Sequence, residues 1–278
     1  MLSLPKHDGR FLHILDCMST LTAGHVAATT DALGIATISF FHPSHNSLPG
    51  QLLRQLAATI TAVGQADTTK VIILKSEGER TFCAGASFDE LVAIEDEAQG
   101  QQFFSGFAQV INACRTCSKV IIGRVQGKAI GGGVGVAAAT DYCFATAQAS
   151  VKLSELVVGI GPFVVGPVVE LKIGRAAYAQ LALDAAEFRS AAWAQARGLY
   201  AEVLETAEAM DAAVQAFAEK LAGYNPEALA AMKQVIWAGT EHWDSLLSER
   251  AAISGRLVLS DFTRQSIAKF KAAAGAKA

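Results

Sequence analysis

Parallel β-strands cannot be joined by a tight turn; each needs a crossover of a dozen residues or more, usually a helix. In this chain, short β-branched or apolar runs alternate with helix-length amphipathic stretches. The runs are residues 34–41 (GIATISFF), 71–74, 120–125 and 142–145. That alternation predicts a largely parallel sheet in an α/β architecture. Of the 278 residues, 51% are hydrophobic and 18% charged, enough apolar surface to cover a sheet on both faces.

Residues 11–17 and 25–29 pattern as a short hairpin ahead of the first long strand. Ser47 is a plausible N-cap for a helix carrying Leu52, Leu53, Leu56 and Ile60. From Ser87 onward one helical pattern runs through Leu91, Ile94, Phe103, Phe107 and Ile111, and residues 131–139 form a short helix after a glycine turn. Beyond Pro162 the character changes to Ala-rich helices, expected at 175–183, 190–197, 206–221, 226–238, 243–258 and 261–274. The expected organisation is an α/β core over residues 1–204 and a helical C-terminal region over 205–278.

Lys plus Arg number 23 and Asp plus Glu 26, a net charge of −3 without a basic cluster, so nucleic acid is not an expected partner. The first ten residues lack the apolar core of a signal peptide. The uncharged run 156–169 is shorter than the ~20 residues a membrane helix needs, and it contains Pro162 and Pro167. The expectation is a cytoplasmic protein with no membrane partner. The five cysteines, Cys17, Cys83, Cys114, Cys117 and Cys143, are odd in number and scattered, which fits a reducing compartment. Cys114 and Cys117 have CxxC spacing, but no second ligand pair accompanies them. No metal is expected, and both are read as small packed apolar side chains.

The stretch KAIGGGVGVAAATDY, residues 128–142, has a backbone built for close approach and no reactive side chain among its glycines. Gly133, Gly135 and Ala138 fit a dinucleotide fingerprint, with Glu155 about twenty residues after Gly135. The glycines do not directly follow the 120–125 strand, however, and the helix they open is too short for a usual crossover. The better reading is an oxyanion hole: free N–H groups at a helix start, unobstructed by a Cβ. A second loop must supply a second donor. ERTFCAGASFDEL, residues 79–91, offers Ala84-Gly85-Ala86 opening another helix.

TFCAGASFDEL and KVIIGRVQGKAIGGGVGVAAATDYCFATAQASVKLSELVVGIGP, in that order and spacing, resemble the crotonase superfamily, also called the enoyl-CoA hydratase/isomerase family. The resemblance covers roughly residues 34–204. It implies a crotonase-like spiral of repeated β-β-α units with a helical C-terminal portion. It implies acyl-CoA thioester substrates, no cofactor beyond the coenzyme A they carry, and a homotrimer or dimer of trimers. It implies catalytic roles for Glu155 as acid/base and for the backbone N–H groups of Ala86 and Gly132. Substrate contacts fall to Ser44 and Asn46 in HPSHNSL, to Ala84, Gly85, Ser87 and Phe88, to Gly131 and Gly133, and to Pro162.

The hydratases of the family carry a first glutamate where this chain has Gly135. Asp89, Glu90 and Glu170 are the candidates to replace it. A single carboxylate suits Δ3,Δ2-enoyl-CoA isomerisation, with enoyl-CoA hydration, acyl-CoA decarboxylation and an inactive CoA-ester-binding subunit as alternatives. The segment 157–169 is expected to line the acyl pocket, and burial among Leu153, Leu156, Val157 and Val158 to raise the Glu155 pKa.

Overall fold

A computed structural model describes residues 24–275. Strands β1 (His25–Thr30), β2 (Ile35–Phe41), β4 (Val71–Ser76), β7 (Val120–Val125), β9 (Tyr142–Thr146) and β12 (Glu202–Leu204) form a six-stranded sheet in the order β1-β2-β4-β7-β9-β12. Only β1 is antiparallel to its neighbour. A second sheet has the order β11-β10-β8-β5, from Arg189–Ser190, Ser150–Lys152, Lys128–Ile130 and Thr81–Cys83. The two-residue strands β3 (Ser47–Leu48) and β6 (Gly85–Ala86) pair in parallel. Successive segments thus place one strand in the large sheet and the next in a small one before a helix returns the chain. This is the expected α/β spiral of β-β-α units.

The large sheet is buried on both faces. In β4, Ile72 and Leu74 face the main core while Val71 and Ile73 face a second cluster. That period of two in an all-apolar strand is what a parallel sheet covered on both sides requires. The second face is closed by the Ala207–Ala222 helix through Met210, Val214, Ala218 and Leu221. The first is closed by the Gly50–Gln65 and Glu97–Thr116 helices, and Trp243 and Leu247 of the Trp243–Leu257 helix join the same core.

Several boundaries depart from the sequence reading. The β1 partner is β2, and residues 11–17 lie outside the described residues. Ser47 is not an N-cap: its pairing with Gly85 keeps the backbone extended, so the helix starts at Gly50, whose N–H is capped by Glu90 Oε2 at 2.7 Å. The helix expected from Ser87 is two, Phe88–Val92 and Glu97–Thr116. Asp96 caps the second by accepting from Gln99 N at 2.8 Å. The 175–183 helix begins earlier, at Gly166, and is interrupted at Gly174 (φ 76°). Cys114 and Cys117 are buried at the end of their helix, and burial pushes the Cys114 thiol up to about 12, where it stays protonated. No helix among the described residues is long and apolar enough to cross a membrane.

Asp141 ties these layers together. Its Oδ2 accepts from Ile121 N (2.7 Å) and pairs with Lys233 Nζ (2.9 Å), while Oδ1 accepts from Trp237 Nε1 (2.7 Å). Lys233 also donates to Lys119 O at 2.8 Å. The Lys233 and Asp141 side chains are only 2% and 4% exposed. Breaking a buried pair strands the remaining charge, so Lys233→Met should cost about 3–5 kcal/mol in urea unfolding. Adding Asp141→Asn to that variant should recover part of the loss.

Candidate active site

In the four-stranded sheet β8 lies between β5 and β10, and all three run parallel. Their carboxyl ends therefore release three neighbouring loops: Ala84–Ala86 after β5, Gly131–Gly133 after β8, and Leu153–Glu155 after β10. The carboxyl edge of parallel strands is where ligands bind in open α/β sheets. Gly131 N donates to Lys152 O at 2.8 Å, which fixes the second loop against the third. A Cβ built on Gly85 would stand 3.6 Å from Gly132 N, which measures how closely the first loop approaches the second.

The glycine run has identifiable reasons. Gly131 (φ 53°) makes a left-handed turn from β8 into the seven-residue Gly132–Ala138 helix. A side chain on Gly132 would collide with the Phe107 ring. In both loops, the residue expected to donate is the one left partly open. Ala86 lies between buried Gly85 and Ser87, and Gly132 between buried Gly131 and Gly133. Ser87 N donates to Leu48 O (3.2 Å), so strand alternation turns the Ala86 N–H to the opposite side. Gly132, as the first helical residue, has no intrahelical acceptor for its N–H.

These loops open on a cavity of about 180 Å³. Its other walls are Phe88, Phe103, Phe104 and Phe107 on one side and Val158, Ile160, Pro162, Phe163, Val164 and Val165 on the other. Of the 157–169 segment, Val158 and residues 160–165 line it; Gly159 and residues 166–169 do not, and Val157 is exposed with Leu156 on the outer side of the single-turn helix Glu155–Val158. The Asp261–Gly275 helix packs over that turn, where a Cβ on Gly159 would lie 3.0 Å from a Phe262 ring carbon.

Among the described residues, Glu155 is the sole carboxylate that lines the cavity. Its Oε2 is buried without a hydrogen-bond partner. Burial pushes the carboxyl up to about 7, a hydrogen bond from its own backbone N–H opposing only in part. Ser154, at the start of that turn, makes no side-chain cap.

Of the expected site residues, Ala84, Gly85, Ala86, Phe88, Gly131, Gly132, Glu155 and Pro162 line this cavity. Ser87 and Gly133 stand just behind it. Ser87 caps the Phe88–Val92 helix, accepting from Glu90 N at 3.4 Å. Ser44 and Asn46 are elsewhere. Ser44 is exposed, and the Asn46 amide is consumed in tying its loop to a distant segment, donating to Glu77 O (2.8 Å) and Thr81 O (2.9 Å). Position 135 points at Val165, whose Cβ would be 2.8 Å from a Gly135 Cβ. No substitute acid reaches the cavity: Asp89 is exposed, Glu90 caps Gly50, and Glu170 accepts from Arg175 Nε at 2.7 Å. The sequence reading missed the Phe104 wall and Ser254, which reaches the cavity from the Trp243–Leu257 helix. No local pattern marks either one.

The raised Glu155 pKa has a stability consequence. Between an ordinary 4.5 and about 7 the folded state binds this proton more tightly than the unfolded chain, so stability falls as pH rises through that window. Glu155→Gln removes the penalty. It should stabilise the protein by up to about 3 kcal/mol at pH 8 and by almost nothing at pH 4, measured by denaturant unfolding at both values.

Among proteins of known activity, a (7aS)-7a-methyl-1,5-dioxo-2,3,5,6,7,7a-hexahydro-1H-indene-carboxyl-CoA hydrolase of Mycobacterium tuberculosis is 29% identical over 131 residues, 47% of this chain and 53% of that protein. The chain thus matches about half the length of such relatives. A peroxisomal Delta(3,5)-Delta(2,4)-dienoyl-CoA isomerase of Arabidopsis thaliana is 29% identical over 224 residues, covering 73% of this chain and 79% of that one. The crystal structure of an enoyl-CoA hydratase from Bacillus halodurans shares the fold, with a TM-score of 0.81 over 88% of this chain and 99% of that one at 19% identity. The family model for enoyl-CoA hydratase/isomerase matches residues 30–270. With parallel sheets, paired loops and this coverage, the chain belongs to the enoyl-CoA hydratase/isomerase family, the crotonase superfamily.

Proposed function

We propose that the cavity binds an acyl-CoA thioester and that the chain interconverts 3-enoyl-CoA and 2-enoyl-CoA, with Glu155 as its one acid/base. The observation that carries this reading is the solitary carboxylate: Val165 occupies the space a side chain at position 135 would need, and Glu155 has no acidic partner in the cavity. Isomerisation needs one proton taken and one returned. Addition of water needs a nucleophile activated as well as a proton delivered to carbon.

In the proposed reaction the thioester oxygen lies against the N–H groups of Ala86 and Gly132. The Glu155 carboxylate takes a proton from C2. The C2–H electrons form the enolate, and negative charge gathers on the thioester oxygen. A fixed donor at that oxygen is worth ~2.7–4 kcal/mol, by comparison with other oxyanion holes. The double bond then shifts to C2=C3 as the same carboxyl returns its proton to C4, and the thioester carbonyl reforms. Atoms and charge balance without water. A carboxyl near 7 suits both halves of this shuttle at neutral pH.

Mass spectrometry of products in deuterated water tests the reading. A 3-enoyl-CoA should become the 2-enoyl isomer with deuterium exchange and no added water. Conversion of 2-enoyl-CoA to a 3-hydroxy product would instead make the chain a hydratase. Glu155→Gln should lower kcat by about 10²–10⁴ while the protein remains folded. Because the base is the ionised form, kcat/KM should decline toward tenfold per pH unit below about 7.

A further inference from the structure

We infer that Phe103 limits the acyl group this site accepts, and that its substrates are short acyl-CoA esters of about six acyl carbons. The inference rests on the acyl-CoA reading above and adds the substrate class to it. It starts from size. The cavity is about 180 Å³. An apolar protein cavity of ~150 Å³ is filled by one benzene molecule. The reacting carbons must already occupy the end nearest Gly132 and Glu155, so little room remains for a tail.

The wall facing that tail comes from one helix, Glu97–Thr116, through Phe103, Phe104 and Phe107. The three rings are not equivalent. Phe107 is 5% exposed and wedged against the Gly132 backbone. Phe104 packs against the main core. Phe103 meets Phe104 edge-on, with ring centroids 5.0 Å apart, and is otherwise a partition. It is the one side chain that lines both this cavity and a second one of about 380 Å³. The second is more polar, with Gln51, Arg54, Glu90, Gln99, Gln102 and Gln109 in its walls beside Ala93 and Ile94. Space for a longer chain therefore already exists behind a single ring, and that ring separates an apolar compartment from a polar one.

Titration calorimetry with saturated acyl-CoA esters, butyryl through dodecanoyl, and with free coenzyme A tests the inference on the whole protein. These esters do not react, so the result is independent of which reaction the site performs. In the wild type, affinity should rise about fourfold per methylene up to hexanoyl and then level off. In Phe103→Ala the rise should extend beyond hexanoyl, with a smaller gain per methylene because the added carbons enter more polar surroundings, and in Phe103→Trp it should stop at butyryl. The same break in all three proteins, or an unbroken rise to dodecanoyl in the wild type, would overturn the role of Phe103. If no ester binds more tightly than free coenzyme A, the acyl-CoA reading falls and this one with it.

Discussion

The fold hangs on one buried carboxylate. Asp141 stands between the short helix that the glycines open and strand β9, and it reaches three ways at once. It fixes the start of β7 through Ile121 N, and it holds the Pro226–Ile236 helix through Lys233 and that helix's cap through Trp237. Strand β7 lies between β4 and β9 in the large sheet, and only two residues separate it from β8. The position of β8 decides where Gly131 turns. A constraint far from the cavity therefore sets the register of the loop that borders it. Lys233 meets the cost of burying two charges by giving a second hydrogen bond to Lys119 O.

The cavity works by contrast with that arrangement. Asp141 is surrounded by donors, whereas one Glu155 oxygen has none. A carboxyl without partners in an apolar wall resists ionisation. Two acidic residues 14 positions apart thus stand in opposite surroundings: one is paired and clamps the scaffold, the other has an unpartnered oxygen at the cavity wall. The unpartnered Glu155 lowers stability at high pH.

Much of this was legible in the sequence because it depends on local chemistry. Val120–Val125 reads as a strand from its β-branched run, and the observed strand has those bounds. The helix after the glycine turn and the apolar burial of Cys114 follow from side-chain type and spacing. Most of the cavity residues followed from two loop motifs and the family resemblance they carry. What could not be read was set by distant contacts. β8 and β10 are three residues each, held in place by their sheet neighbours rather than by propensity. Ser47 has the chemistry of a cap, but its pairing with Gly85 overrides it. Asn46 looks like a ligand donor, yet its amide is spent on two carbonyls more than thirty residues away. Phe104 belongs to an ordinary helical stripe until the fold turns it toward the cavity.

Val165 bears on the chain's possible histories. A glutamate at position 135 cannot be accommodated while that side chain is in place, and trimming Val165 first would leave a hole in a well-packed wall. Each change alone is unfavourable, and only the pair is compatible. Passage between a one-acid and a two-acid site on this scaffold is therefore not a single mutational step in either direction. The order of substitutions matters, and a lineage that has filled the space with valine is held on its side of that divide by packing before any selection on activity acts.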